Sequence, residues 1–180
     1  MSMQQASTAY GIDGATASDL ATLIEVDRAA STLFAPTGLL SEEALADHVP
    51  LDVLAHAAGT GDLFTARAGS GIPVGFALVS LRGGTLYLDQ ISVHPDHGRQ
   101  GLGAALLGRV VDEARTRKLR RVTLSTFRDL PWNGPFYARH GFREIKRSDM
   151  ADWMLDLERI QAEDLDISKR CFMVRKLGWL

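Results

Sequence analysis

The stretch ISVHPDHGRQGLGAALL (residues 91–107) runs from a β-branched strand end, through a proline turn, into glycines at 98, 101 and 103. A helical pattern follows: Leu106, Leu107, Val110 and Ala114 share one face, while Arg109, Asp112, Glu113 and Arg117 fall elsewhere, which predicts a helix from about Gly101 to Lys118. Glycine lets a ligand come close to the main chain. The first N–H groups of a helix lack internal partners, and the dipole there is partly positive, so a strand, glycine loop and helix in this order suit a phosphate or pyrophosphate. Arg99 adds a side-chain charge at the rim. No Gly-Lys-Ser or Gly-Lys-Thr exists, which excludes a P-loop, and the glycines read GxxGxG, the reverse of the dinucleotide fingerprint GxGxxG. A helix start whose glycines serve only close packing is the remaining alternative.

Upstream, LFTARAG, PVGFALVSL and TLYLDQISV are apolar segments of strand length parted by glycine turns at 69–71 and 83–84. Links so short make the three strands antiparallel neighbours, because a parallel crossover needs a dozen residues or more. Downstream, RRVTLST is a strand reached through the helix, so strand, helix and strand form a parallel crossover. A short helix around Phe136 to His140, a strand from Phe142, an amphipathic helix with Trp153, Leu157 and Ile160, and a final strand RCFMVRKL complete that side. Residues 1–6 read as a loose tail, followed by a short strand near Thr8 to Ile12. Ser18 is the predicted N-cap of a helix through Leu20, Leu23, Ile24 and Asp27 toward Ala30, which STLFAPTGLL must break. SEEALADHV, capped by Ser41, and LDVLAHAAG, ending at Gly59, predict two further helical pieces. No repeat, linker or low-complexity segment divides the chain, so residues 1–180 are expected to form a single α+β domain.

Composition narrows the functional classes. With 180 residues, 46% hydrophobic and 23% charged, the chain has the profile of an ordinary globular domain, large enough to need no disulfide or metal staple. A net charge of −2 is poor for a nucleic-acid binder, which carries a basic surplus. The one cysteine, Cys171, cannot form an internal disulfide, and His48, His56, His94, His97 and His140 lack zinc-ligand spacing, so no metal is expected. The N-terminus lacks a secretory pattern and no run of 18 apolar residues occurs, so no membrane partner is expected and the expected compartment is the cytoplasm.

The residues also resemble a known family. VHPDHGRQGLGAALL is similar to the acetyl-CoA-binding signature of the GNAT N-acetyltransferase superfamily: Arg or Gln, two residues, Gly, one residue, then Gly or Ala. Gly101 and Gly103 match its small positions, whereas Gly98 stands where Arg or Gln is usual, with Arg99 and Gln100 supplying those side chains one and two places later. TFRDLPWNGPFYARHGF (residues 126–142) is similar to the family's second block, with Tyr137 four residues before the pair Gly141-Phe142. The resemblance covers roughly residues 62–146. It implies a GNAT-like fold, a central mixed and mostly antiparallel sheet of about six to seven strands flanked by helices, with acetyl-CoA as co-substrate. It further implies that Arg99, Gln100, Gly101, Leu102, Gly103 and Ala104 meet the pyrophosphate, that main-chain atoms of Ile91 and Val93 meet the thioester arm, and that Tyr137 protonates the departing thiolate. Asn133 either reaches the pantetheine amides or caps the short helix. Tyr137 has an alternative reading as a core tyrosine anchoring that helix.

The chemistry this implies sets two proton problems. An alkyl ammonium of pKa about 10.4 is neutral in only about one molecule per thousand at pH 7, so a base or water chain must deprotonate the acceptor. A phenol of pKa about 10 lies close enough to a thiol near 8.5 to protonate the leaving sulfur. Relatives that carry a base often place a Glu on the strand before the glycine loop or on the strand after its helix, and those strands hold no Glu here. Asp89, expected to share a strand face with Ile91 and Val93, is the candidate base beside a water chain; His94 and His97 are expected on an exposed turn. Acceptor specificity is expected from the N-terminal helices and the loop of Leu33, Phe34 and Pro36, with Trp132 either a pocket wall or a surface-packing side chain; Asp27, Glu42, Glu43 and Asp47 either attract a cationic amine or, the commoner role for such residues, solvate helix faces. Cys171 lies far in sequence from both cofactor blocks, so direct attack is expected without an acyl-enzyme. The expected activity is transfer of acetyl to a primary amine of a small molecule, by a monomer or homodimer. Protein or peptide N-terminal acetylation and a non-catalytic acyl-CoA-binding sensor are the alternatives.

Overall fold

The computed structural model describes residues 10–178, so the expected tail at 1–6 and the start of the expected first strand lie outside the described residues. The apolar segments of the sequence become strands β1 (Gly11–Gly14), β2 (Leu63–Arg67), β3 (Pro73–Arg82), β4 (Thr85–Val93), β5 (Arg121–Phe127), β6 (Arg143–Glu144) and β7 (Arg170–Lys176). The helices are α1 (Leu20–Ser31), α2 (Glu42–Ala46), α3 (Leu51–Thr60), α4 (Leu102–Thr116), α5 (Gly134–Arg139) and α6 (Asp152–Gln161). The described residues form a seven-stranded sheet in the order β1-β2-β3-β4-β5-β7-β6, in which β4 and β5 are parallel and every other pair is antiparallel. This is the mixed, mostly antiparallel α+β sheet the sequence implies, with α4 as the crossover between the parallel pair.

Two apolar layers flank the sheet. On one face Leu102, Leu106, Leu107, Val110, Val111 and Ala114 of α4 join Leu86, Leu88, Val122, Leu124, Cys171 and Met173, together with Tyr137 and Phe142. On the other face α1 and α3 pack Leu23, Val26, Leu54 and Ala57 on Leu63, Phe76 and Leu78. Farther along that second face, Met154 of α6 meets Tyr87 and Phe172. Strand alternation thus sends neighbouring residues to opposite layers.

Several local expectations change. Thr16, not Ser18, starts the first helical segment: a 3₁₀ turn over Ala17–Asp19 precedes α1, and the Asp19 carboxylate accepts from the Thr16 N–H at 2.8 Å and the Thr16 hydroxyl at 2.9 Å. Asp19 is committed there because it also pairs with Arg67 at 2.7 Å, linking α1 to β2. Ser41 caps α2 as expected, accepting from the Ala44 N–H at 3.1 Å. The α3 helix runs one residue past Gly59 and stops where Gly61 takes φ 77°, a left-handed conformation that glycine permits. In α6 Met154 is buried, whereas Ile160 is 62% exposed and belongs to the outer face.

Candidate active site

The parallel pairing of β4 with β5 covers Leu86–Val122, Tyr87–Thr123 and Leu88–Leu124, and goes no further. The cause lies on the other edge of β4. Against β3, Leu78 faces Gln90 but Val79 faces Leu88, which leaves Asp89 as an extra residue in a β-bulge. A bulge bends its strand and interrupts the ladder. Past it β4 leaves β5, and Ile91, Ser92 and Val93 line a cleft of about 1340 Å³ together with Ser125, Thr126 and Phe127. The bulge also reverses side-chain parity. Ile91 and Val93 pack with the α4 layer, and Gln90 and Ser92 turn toward α1. Asp89 therefore does not share a face with Ile91 and Val93, as expected from simple alternation; it pairs with Arg82, whose guanidinium lies 5.1 Å from the Tyr87 ring centroid on the opposite face.

The glycine loop forms one end of the cleft. Pro95–His97 makes a 3₁₀ turn, closed by the Gly98 N–H donating to the Pro95 carbonyl at 3.0 Å. Arg99 at φ 58° and Gly101 at φ 78° are both left-handed, a backbone shape that turns main-chain N–H groups inward. Gly101 is the N-cap of the 15-residue α4 and offers no side-chain acceptor; the first N–H bonded back into the helix is that of Ala105, to the Gly101 carbonyl at 3.0 Å. The N–H groups of Leu102, Gly103 and Ala104 are left for a ligand. Gly98, Arg99, Gly101, Leu102, Gly103 and Ala104 all line the cleft, whereas Gln100 is exposed and lies outside the lining. His94 and His97 are partly buried rather than exposed. His94 Nδ1 accepts from the Asp96 N–H, and His97 Nδ1 lies 3.1 Å from the Tyr10 hydroxyl.

The helix α5 closes the middle of the cleft. Gly134 opens it because a Cβ there would collide with the carbonyl oxygen of Arg128. Asn133 stands just before, on the cleft lining, but its side chain does not cap the helix: Nδ2 donates back to the Trp132 carbonyl at 3.0 Å. Tyr137 lies one turn on, buried among Phe136 and Phe142, and reaches the cleft. Its hydroxyl makes no hydrogen bond among the described residues. Burial raises its pKa above the ordinary phenol value. Cys171 sits in the same layer, its thiol pushed up to about 11 by burial.

The opposite wall comes from α1 and its following loop. Leu33 and Phe34 line the cleft, with the Phe34 ring 5.9 Å from both Phe127 and Trp132. Asp27, expected on a solvated face, is instead 3% exposed. Its carboxylate accepts from the Ser92 hydroxyl at 2.7 Å, the Gln90 amide at 2.9 Å and the Val49 N–H at 2.9 Å, fastening the α2–α3 link and β4 to α1. Asp89 lines the same cleft. Its Oδ1 accepts from Arg82 at 3.1 Å, its Oδ2 is buried without a partner, and burial raises its pKa. Sequence reasoning missed Asp27 as a buried residue, and it missed Gln90, Ser92, Ser125, Gln161 and Arg170 as cleft residues. Among the described residues no group of three or more His, Cys, Asp or Glu is placed to hold a metal, and no helix is long and apolar enough to cross a membrane.

Comparison with known proteins adds three findings. The family model described as acetyltransferase (GNAT) family matches residues 33–142. The structure is similar to the PaiA N-acetyltransferase of Thermoplasma acidophilum, solved with coenzyme A, at TM-score 0.71 and 18% identity over 94% of this chain and 99% of that one. It is also similar to the ribosomal-protein-S18-alanine N-acetyltransferase of Escherichia coli, at TM-score 0.66 and 19% identity over 96% of each chain. A third likeness, to the N-acetylglutamate synthase of Neisseria gonorrhoeae solved with coenzyme A and N-acetyl-glutamate, has TM-score 0.68 and 17% identity over 96% of this chain and 36% of that one.

Proposed function

The chain belongs to the acetyltransferase (GNAT) family, and from that premise we propose that it moves an acetyl group from acetyl-CoA to the primary amine of a small molecule by direct attack, in the cytoplasm. The observation that carries this reading is the junction of an unpaired strand with an uncapped helix. The main chain of Ile91 to Val93 has no β5 partner, and it leads directly into the loop that opens α4. An extended amide-bearing arm fits the strand edge, and a pyrophosphate fits the N–H groups of Leu102, Gly103 and Ala104. Acetyl-CoA supplies a thioester whose acetyl carbon accepts the amine. Arg99 and Asn133 line the same run and would meet the cofactor.

Two residues handle protons. Asp89 receives one from the incoming ammonium, directly or through water, and burial keeps its carboxyl more basic than an exposed aspartate. Tyr137 returns one to the departing sulfur. Its pKa lies above that of a thiol near 8.5, so the transfer is uphill and works only because the thiolate forms beside the phenol. The buried Cys171 stays a thiol and forms no acyl-enzyme. The direct test is release of the coenzyme A thiol from acetyl-CoA on adding small primary amines. Amine-dependent release with formation of the acetylated amine supports the proposal. Acetylation confined to peptide N-termini, or none at all with acetyl-CoA bound, would overturn it.

A further inference from the structure

Arg170 opens β7 opposite Phe127, the last residue of β5, on the face away from α4. Its Nη2 donates to the Ser125 hydroxyl at 3.1 Å, and its guanidinium carbon lies 4.8 Å from the Phe127 ring centroid. With that proton accepted, the Ser125 hydroxyl donates its own to Gln161 Oε1 at 3.0 Å. The relay fixes the Gln161 amide with its oxygen occupied and its NH₂ without a partner among the described residues. Arg170 Nε is buried and has no acceptor. Arg67, Arg82, Arg109 and Arg117 all pair with carboxylates, yet Arg170 forms no ion pair among the described residues. Both Arg170 and Gln161 line the cleft, which also exposes Asp89 of β4. A desolvated cation beside spare amide donors, with no anion of its own, is unfavourable unless a ligand provides one.

We propose that Arg170 and Gln161 bind a carboxylate of the acceptor, which makes the acceptor a free amino acid or a related small amine with a carboxylate close to its nitrogen. The inference deepens the acetyltransferase reading and rests on it. The geometry favours a group close to the reacting nitrogen. Leu88, the residue before Asp89, faces Leu124, the residue before Ser125, and Ser125 accepts from Arg170, so Asp89 and Arg170 come to the same end of the β4–β5 pairing, on a cleft that Tyr137 also lines. Asp89 and Arg170 do not pair with each other. A zwitterion would satisfy both, its ammonium toward Asp89 and its carboxylate toward Arg170 and Gln161. The planar guanidinium fork matches a carboxylate in two hydrogen bonds, which an ammonium in its place would not.

The test is acetyl transfer from acetyl-CoA to each free L-amino acid, assayed beside its carboxamide, its decarboxylated amine and amines bearing a phosphoryl group. The same panel is run on Arg170→Gln and Arg170→Lys. Melting with and without acetyl-CoA reports whether each protein is folded and binds the co-substrate. The expected result is preference for at least one amino acid over its carboxamide, and a KM for it raised about tenfold to a hundredfold in Arg170→Gln, the range of a charge-assisted contact. The KM of the carboxamide should rise far less, because its neutral carbonyl forms only an ordinary hydrogen bond with the guanidinium, and Arg170→Lys should recover part of the loss. Equal use of acid and carboxamide by the unaltered protein, preference for phosphoryl amines, or an equal loss for acid and carboxamide in Arg170→Gln would overturn the proposal. Stabilisation by acetyl-CoA with no amino acid acetylated would overturn it alone, whereas failure of acetyl-CoA to stabilise the unaltered protein would overturn the acetyltransferase reading as well. If Arg170→Gln does not fold, the comparison of acid with carboxamide on the unaltered protein decides.

Discussion

Replacing Tyr137 by Phe separates a catalytic phenol from a structural one. The ring packs against Phe136 and Phe142 at centroid distances of 5.2 and 5.8 Å, and Phe keeps both contacts. The hydroxyl makes no hydrogen bond among the described residues, so its removal breaks nothing in the fold. Stability should stay within about 1 kcal/mol, a change in Tm of no more than about 4 °C for a chain this size. Activity should respond differently. A positioned general acid contributes about 10²- to 10⁴-fold. Burial has raised this phenol's pKa, and each unit by which an acid exceeds the thiol's pKa adds about 1.4 kcal/mol of uphill transfer. The loss in kcat should therefore lie near the lower end, about a hundredfold, with the KM for acetyl-CoA little changed. Thiol release at saturating substrates gives kcat, and calorimetric melting gives Tm. An unchanged kcat, or a Tm lowered by about 8 °C or more, would show the hydroxyl to be an anchor and refute the assignment.

Other predictions follow from particular contacts. Asp19→Asn removes the more buried of the two carboxylates on Arg67, whose Nη1 and Nη2 each reach Asp19 at 2.7 Å while its Nε stays paired with Asp13 at 2.8 Å. The loss should be about 2 kcal/mol at pH 7, or about 4–8 °C in Tm. Because Arg67 holds the Asp19 carboxyl well below the usual carboxylate range, the native contribution is complete above the unfolded pKa of about 3.9 and fades as pH falls toward the folded value. The gap in Tm between the two proteins should therefore narrow below about pH 4, and a gap that widened there would contradict the pairing. Gly134→Ala places a Cβ against the Arg128 carbonyl oxygen, so α5 must shift and carry Tyr137 with it; both Tm and kcat should fall. Gly108→Ala, inside α4 with open space around its Cβ, should instead gain about 0.5–1 kcal/mol, and equal behaviour of the two variants would refute the steric argument.

What the sequence revealed followed from local pattern. Glycine turns separated β2, β3 and β4, the apolar stripe of α4 marked the crossover, and the glycines at 98, 101 and 103 marked its start. What escaped depended on partners distant in the chain. Asp27 looked like surface charge, yet it falls on the stripe of Leu20, Leu23 and Ala30, and a carboxylate in an apolar stripe was the available signal that it is buried. The bulge at Asp89 was also visible in principle. Leu86 and Leu88 alternate on one parity and Ile91 and Val93 on the other, so TLYLDQISV cannot keep all four in one layer without an extra residue. Arg170 offered no such signal. Its meaning depends on Ser125 and Gln161, from a different strand and a helix, and on the carboxylate it lacks.

The central claim is that acetyl-CoA sits on the strand edge and glycine loop. Melting the protein with and without acetyl-CoA, beside a Gly101→Glu variant, tests it most directly. Gly101 holds φ 78° at the helix start, and a glutamate there sets a negative charge where the pyrophosphate must lie. At one hundred times its Kd, acetyl-CoA should add about 2.7 kcal/mol, a rise in Tm of roughly 5–10 °C in the natural protein, and almost none in Gly101→Glu. No rise in either protein at millimolar acetyl-CoA, or an equal rise in both, would contradict the account.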